Sequence, residues 1–306
     1  MTGTALAGAY VADVLVGDPR RLHPVAGFGQ LAAGLEARAY APRRRRGIAY
    51  AGTLVAGAGL AGELLARAGD RAGIGRSPAL ALFTWVALGG RSLTRTAVRL
   101  ADHVDEGELA EARRLLPSLC GRDPDALDGD GLSRAALESV AENTSDAVVG
   151  ALLWGALAGP GGVLAYRAAN TLDAMVGHRS PRYERFGWAA ARLDDALGWP
   201  GARAGAGLTV LCAGAARGRT WRVLRRDGRK HPSPNAGRME AAFAGALGLR
   251  LGGPLAYDGR VELRPSLGDG PGMRAPNHTD IRRANRLSSR VGAAALAASA
   301  AARSLR

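Results

Sequence analysis

Residues 147–166 contain no charged side chain. An apolar stretch of about 20 residues is what a helix needs to cross a bilayer. Dense polar clusters stand on both sides. Glu138, Glu142, Asn143 and Asp146 precede the run; Arg167, Asn170, Asp173 and His178 follow it, and then Arg192, Asp194 and Asp195. The run is interrupted by Gly159-Pro160-Gly161-Gly162. A straight helix does not tolerate that sequence, so a helix, a sharp turn and a second helix are expected, as a re-entrant segment or a hairpin. Broken helices at membrane depth expose backbone groups, and they persist where they line a cavity or pack against protein.

Other apolar segments are shorter. Arg43 to Arg46 form a basic run directly before the uncharged residues 47–62, a pattern that puts this flank on the cytoplasmic side of a membrane. Residues 79–90 and 204–216 are apolar, and a basic block, 217–230, follows the second. No stretch shows sustained alternation of apolar and polar residues with period two, so the chain reads as nearly all helical. The expected architecture is an all-α, multi-pass helical membrane protein with broken or re-entrant helices and polar helical loops. One domain over residues 1–306 is expected, with polar excursions at 91–137 and 217–290. Residues 1–12 are apolar but lack a basic start, and Asp13 interrupts them, so no cleavable signal is expected.

Composition removes several function classes. The formal net charge is +14 at pH 7, which favours an anionic partner: nucleic acid, phospholipid headgroups or a phosphorylated substrate. No helix-turn-helix, zinc finger or aromatic-plus-basic strand accompanies that charge, so nucleic acid is not expected. Cys120 and Cys212 are far apart and form no CxxC pair, which argues against a disulfide scaffold and a structural zinc site. Of the 41 Lys and Arg residues, Lys230 alone is lysine. A Walker-A loop needs Gly-Lys-Ser/Thr, so a P-loop nucleotide site is absent. A pyridoxal enzyme needs a lysine in a shaped pocket, and Lys230 sits in a basic loop beside Arg229 and His231.

The polar residues carry the functional signal. On a helix, Glu138, Glu142 and Asp146 share one face, and three acids in a stripe repel one another unless cations balance them. An acidic solvated face is the ordinary explanation; Mg²⁺ or nearby arginines would be another. Arg167, Asn170, Thr171 and His178 fall near one helical face, with Asp173 beside Asn170. Pairing between Arg192 and Asp195 has a purely structural explanation as well as a functional one. Asp18 and His23 cluster after the first helix, where helix-end punctuation also accounts for them. His231-Pro-Ser-Pro-Asn-Ala-Gly237 reads as a rigid loop whose prolines fix the backbone while His231, Ser233 and Asn235 offer hydrogen bonds.

These motifs together resemble the CobD/CbiB family of cobalamin biosynthesis proteins, the adenosylcobinamide(-phosphate) synthases. The resemblance rests on Val140-Ala-Glu-Asn-Thr-Ser-Asp146, on Tyr166-Arg-Ala-Ala-Asn-Thr-Leu-Asp-Ala-Met-Val-Gly177, and on Arg182-Tyr-Glu-Arg-Phe-Gly-Trp-Ala-Ala-Ala-Arg-Leu-Asp-Asp195. Gly17-Asp-Pro with His23-Pro-Val, and the His231 loop, complete it in order over about residues 10–260. A pyridoxal-dependent threonine-phosphate decarboxylase of the same pathway shares one of the family's names, and the lysine content excludes it.

The resemblance implies a multi-pass inner (plasma) membrane protein that forms an amide bond. A propionate of (adenosyl)cobyric acid would be joined to 1-aminopropan-2-ol or its O-phosphate, with ATP and Mg²⁺ as the expected reagents. On that reading Glu142 and Asp146, with Asp173 or Asp195, would hold Mg²⁺, and Arg167 and Arg192 would clamp phosphate. His23, His178 or His231 would deprotonate the attacking ammonium. Asn143, Asn170 and Asn235 would orient the corrinoid carboxamides, with Asp18 and Ser233 among the substrate-binding residues. Membrane lipid and other enzymes of the pathway are the implied partners. A non-catalytic corrinoid transporter or a scaffold for the pathway is the alternative, because a polar broken-helix site suits a translocation path almost as well. Either way, the groups flanking the apolar run are expected to converge in one pocket.

Overall fold

The computed structural model describes residues 2–17, 23–178, 180–257 and 260–304. Helices dominate: α1 (Thr2–Leu15), α2 (Pro24–Ala39), α3 (Arg44–Arg71), α4 (Ser77–Ala87), α5 (Gly90–Asp105), α6 (Leu109–Leu115), α7 (Gly129–Asn143), α8 (Gly150–Leu172), α9 (Tyr183–Phe186), α10 (Trp188–Cys212), α11 (Arg217–Asp227), α12 (Ala236–Leu247) and α13 (His278–Ser304). One antiparallel hairpin pairs β1 (Leu251–Tyr257) with β2 (Arg260–Leu267). Packing divides the chain into two interleaved units. Unit 1 comprises residues 1–89, 146–201 and 295–306; unit 2 comprises 90–145 and 202–294.

In unit 1, α3 packs against α8 through glycines. A Cβ on Gly62 would stand 2.8 Å from the Pro160 carbonyl oxygen, and one on Gly161 would stand 2.7 Å from that of Gly59. The small residues let the two backbones approach, as in helix pairs that associate without a large hydrophobic gain. Tyr50, Leu54, Leu172, Val176 and Phe186 form the core nearby, and the Tyr50 hydroxyl donates to the Ala32 carbonyl at 3.1 Å.

The break expected at Gly159 is present. Gly159 adopts φ 65° and ψ −154°, a conformation essentially restricted to glycine. A Cβ on Gly150 would lie 2.2 Å from the Tyr166 hydroxyl. In a straight helix residues 16 apart are about 24 Å apart, so α8 folds back on itself as a helical hairpin with its apex at Gly159-Pro160.

Among the described residues, two helical stretches, Arg44–Arg71 and Gly129–Gly177, are long and apolar enough to cross a membrane. The fold-back means that the second is not one straight crossing. Large apolar side chains stay exposed on unit 1, among them Val11, Leu15, Leu31, Leu60, Leu64 and Leu65.

Unit 2 is built on two mostly buried helices, α7 and α12, with α5 and α6 against the first and α11 against the second. Asp128 caps α7 by accepting from the Gly131 N–H at 2.8 Å, satisfying one of the orphan donors of the first turn. The polar excursions are therefore largely helical. The excursion at 217–290 departs from an all-helical reading, because it contains β1 and β2 before the start of α13. The hairpin escapes the period-two test because its first strand carries Gly252, Gly253 and Pro254 and a register irregularity between Leu251 and Gly253, which erase alternation there, while in the second strand only the five residues Arg260–Arg264 alternate before Pro265.

Candidate functional site

The chain stays helical from α7 into α8, but with one wide turn on each side of the apolar hairpin. Thr144–Val149 and Asp173–Gly177 are both π-helical. Such turns are rare and recur at functional sites. Asp146 lies in the first and Asp173 in the second.

Within unit 1, the fold-back brings two sequence motifs together. The Tyr166 hydroxyl donates to the Asp146 carbonyl at 2.9 Å. Asp146, Asp194 and Arg167 all act electrostatically on that phenol. Arg167 Nη1 donates to Asn170 Oδ1 at 3.2 Å, and Asn170 Nδ2 donates to Asp194 Oδ1 at 3.2 Å. Asp146, Tyr166, Arg167, Asn170 and Asp194 therefore form one polar cluster at the open end of the hairpin. The sequence points to Asp195, whereas the cluster takes its neighbour Asp194. Asp195 instead accepts from Arg192 at 3.0 Å on the same helix, the ordinary structural pairing. His178 packs edge-on against the Tyr183 ring at 4.9 Å. His23 caps α2, its Nδ1 accepting from the Val25 N–H at 3.1 Å. Asp18 lies outside the described residues.

Unit 2 holds the second constellation, an acidic and basic network between α7, α12 and the hairpin. Glu138 is 2% exposed and pairs with Arg122, itself 7% exposed. Its other oxygen accepts from the Gly252 N–H at 2.6 Å. Glu240, on α12, is 3% exposed. Burial first, then the negative charges of Glu138 and Glu142, push its carboxyl well above the usual carboxylate range. Glu142 is shifted upward too: burial outweighs the opposing fields of Arg264 and Arg122, and Glu138 adds to the shift. Like-charged carboxyls in a low-dielectric setting disfavour one another's ionisation, which is why Glu142 and Glu240 both hold their protons more firmly than free carboxyls do.

His231 closes the network. Its Nε2 lies 2.5 Å from Arg264 Nη1 and 3.8 Å from Glu240 Oε1. Burial, followed by the positive charge of Arg264, pulls its pKa down to about 4, so the ring is neutral at pH 7. Gly237, in the same motif, is required for this packing, because a Cβ there would stand 2.2 Å from the His231 Cβ. Ser233 Oγ accepts from the Asn235 and Ala236 N–H groups at 3.3 and 3.2 Å. Asn235 Oδ1 accepts from Arg203 Nη1 at 2.9 Å. Asn143 Nδ2 donates to the Ser139 carbonyl at 3.0 Å. The loop is thus stiff and polar, and hydrogen bonds rather than its prolines alone organise it.

The predicted residues are distributed over both units. Asn143, Glu142, His231, Ser233 and Asn235 fall in unit 2; His23, Asp146, Arg167, Asn170, Asp173, His178, Arg192 and Asp195 fall in unit 1. The sequence alone does not single out Arg122, Glu240 and Arg264 as members of the acid network. Glu240 carries a usable signal, being the one acid of the largely apolar helix directly after the His231 loop. The Mg²⁺ donors fare less well. Glu142 belongs to one unit, Asp146 and Asp173 to the other. Among the described residues, the acid and histidine side chains whose ligand atoms come within 4.8 Å of one another are the largely exposed His103, Glu106 and Glu108. The Glu142, Asp146 and Asp173 set does not fit a single ion within either unit. Cys120 and Cys212 are free thiols.

The family described as CobD/Cbib protein matches residues 6–288. This chain belongs to the CobD/CbiB family. It is 55% identical over 291 residues to the cobalamin biosynthesis protein CobD of Mycobacterium tuberculosis (strain H37Rv), covering 93% of this chain and 91% of that protein. It is 43% identical to the protein of the same name from Chromobacterium violaceum, over 92% and 90% of the two chains. The CobD of Stutzerimonas stutzeri is 44% identical over 88% of each. No solved structure matches. The CobD/CbiB membership places this chain in cobalamin biosynthesis; the motifs that carried the resemblance supply the unit 1 cluster and, in unit 2, Glu142 and His231.

Proposed function

We propose that this protein is an acid–amine ligase of late cobalamin assembly. It joins a propionate of (adenosyl)cobyric acid to 1-aminopropan-2-ol or its O-phosphate, giving (adenosyl)cobinamide or its phosphate. The observation that carries this reading is the buried acid network of unit 2 in a CobD/CbiB chain. A carboxyl shifted upward by burial is a stronger base than an ordinary one, and amide formation needs a base to take the proton from the attacking ammonium.

Glu142 is assigned that proton. It keeps part of its surface open, while Glu138 is fixed by Arg122 and the Gly252 N–H and serves to position the network. Glu240, whose carboxyl burial and the charges of Glu138 and Glu142 push upward, relays or stores the proton. His231 is a poor base here, since Arg264 faces its Nε2 and its pKa is near 4; it serves to orient Arg264. The cluster of Arg167, Asn170 and Asp194 presents donors and acceptors suited to the carboxamide-rich edge of a corrinoid.

Condensation of a carboxylate with an amine in water is unfavourable, so ATP is assigned as the activating co-substrate, with Mg²⁺ accompanying it. No role in these steps is given to a protein-held Mg²⁺ ion. The apolar exterior of unit 1 supports placement in the cell membrane, with α3 as a span and the α8 hairpin as a re-entrant element. The test is mass spectrometry of the product made by detergent-purified protein from cobyric acid, each amine and MgATP. Loss of product without nucleotide is expected; full-rate product without it would exclude the ligase mechanism.

A corrinoid transporter is the second reading, favoured by the polar cluster at the open end of a broken apolar hairpin. It predicts corrinoid movement across vesicles and no amide product.

A further inference from the structure

In unit 2, α11 is held on one side and bare on the other. Its buried residues are Thr220, Val223, Leu224 and Asp227. They pack on α12 so closely that a Cβ on Gly245 would stand 2.6 Å from the Thr220 Cα. Three cations of the segment 217–230 are committed to the same unit. Arg219 caps the end of α12, its Nε donating to the Gly245 carbonyl at 2.7 Å. Arg226 and Lys230 both pair with buried Asp227.

The outward face is different. Arg217, Trp221 and Arg225 occupy every fourth position, a single stripe along the helix, and Arg222 stands beside it. All four are exposed. Their contacts are local. Arg217 donates to the Leu211 carbonyl at 3.1 Å, Arg222 donates to the Gly218 carbonyl at 3.4 Å, and the Arg225 guanidinium lies 5.7 Å from the Trp221 ring centre. The one acid of α11, Asp227, is buried, so the exposed face of the helix carries cations and no anion. Two large apolar side chains lie bare beside these cations: Trp221 is 50% exposed, and Leu211, whose carbonyl Arg217 holds, is 58% exposed. An indole among guanidinium groups suits a depth where one end of a side chain is apolar and the other wet. A nucleic acid could stack on the indole but gains nothing from Leu211. Deep insertion is not available, because the apolar side of α11 is already spent on α12.

We propose that Trp221, Arg217, Arg222 and Arg225 dock α11 on an anionic phospholipid surface, with the guanidinium groups among the headgroup phosphates and the indole at the interface. The inference rests on the cell-membrane placement proposed above and deepens it. Apolar helices enter a bilayer of any headgroup, whereas this face requires negative charge. Each arginine near such a surface strengthens binding about fivefold. The attraction falls off within a Debye length, so salt weakens it. Docking holds unit 2, and the acid network within it, at the membrane surface.

The test is hydroxyl-radical footprinting, read by mass spectrometry, of the detergent-solubilised full chain titrated with phosphatidylglycerol in mixed micelles. Phosphatidylcholine, and an RNA oligonucleotide without lipid, serve as comparisons. Oxidation of Trp221 is expected to fall with phosphatidylglycerol alone and to recover in high salt. The phosphatidylglycerol concentration that half-protects Trp221 is expected to rise about fivefold in each of Arg217→Gln, Arg222→Gln and Arg225→Gln. These side chains are exposed, so the variants keep the α12 contact, and continued shielding of fully buried Met239 on α12 verifies their fold. Equal protection of Trp221 by both lipids, protection by the oligonucleotide in place of phosphatidylglycerol, or unchanged titrations in all three variants overturns the proposal. Failure of the membrane placement is read separately, by carbonate extraction of the chain from phosphatidylcholine vesicles. A chain released by carbonate whose Trp221 is still protected by phosphatidylglycerol keeps the docking face and removes the spans. A chain that resists carbonate but whose Trp221 is never protected keeps the spans and removes the face.

Discussion

The Gly252 N–H donates to Glu138 Oε1 across 114 residues of sequence, at 2.6 Å. This bond ties the β-hairpin to α7. It exists because Gly252 adopts φ 79° and because a Cβ there would stand 2.3 Å from the Pro265 carbonyl oxygen. With Arg122 on the other oxygen, Glu138 is an anchored anion whose field falls on Glu142 and Glu240.

Glu138→Gln removes the charge that balances buried Arg122. Breaking one partner of a buried pair costs about 3–5 kcal/mol. A thermal melt lowered by several degrees is expected, together with weaker protection of the hairpin amides in hydrogen exchange. An unchanged melt would show that the pair contributes nothing to unit 2.

Glu240→Gln should act in the opposite direction on stability. It removes a buried carboxyl that burial and two neighbouring acids disfavour as an anion. The melting temperature at pH 8 is expected to equal or exceed that of wild type. The pH dependence of product formation should stay close to that of wild type, because Glu138, not Glu240, is the acid whose charge raises the Glu142 carboxyl. A pH profile recorded on both proteins checks this.

Asp227 gives the acid limit of unit 2. It is fully buried and held by Arg226, Lys230 and the Gly268 N–H. Burial alone would raise its pKa, but these partners outweigh it and bring the carboxyl down to about 2. A folded-state pKa below the ordinary value contributes stability that is present above the ordinary carboxylate pKa. That contribution is lost as pH falls through the folded value. Asp227→Asn should therefore be less stable than wild type at pH 6, with the difference shrinking between about pH 4 and pH 2. Denaturant midpoints along that series provide the measurement.

Gly62→Val tests the α3–α8 contact. A Cβ there would meet the Pro160 carbonyl at 2.8 Å and Leu164 Cδ1 at 3.0 Å, so the helices must separate. A loss of about 1–3 kcal/mol is expected, read as reduced yield and a lower melting point in detergent.

Much of this architecture is legible in the residues themselves. The missing charges of 147–166 mark the apolar hairpin, and Gly159-Pro160 marks its apex, because glycine and proline act locally. The meeting of Asp146 with Tyr166 follows from the same break. The π-helical turns are not legible, since they depend on which carbonyl each N–H chooses and not on residue type. Asp194 is hidden behind Asp195 because spacing along α10 cannot say which of two adjacent acids faces Asn170. Arg122 and Arg264 are masked by the arginine-rich composition and by their distance in sequence from Glu142. Only the packing of α7, α12 and the hairpin selects them.

The central claim is that Glu142 takes the proton when the amide forms. Mass spectrometry of the corrinoid product from cobyric acid, aminopropanol phosphate and MgATP, with wild type and Glu142→Gln, tests it most directly. The account predicts an amide-linked product from wild type and a fall of about a hundredfold or more in a folded variant. Equal turnover by the two proteins, or no amide from wild type, would contradict it.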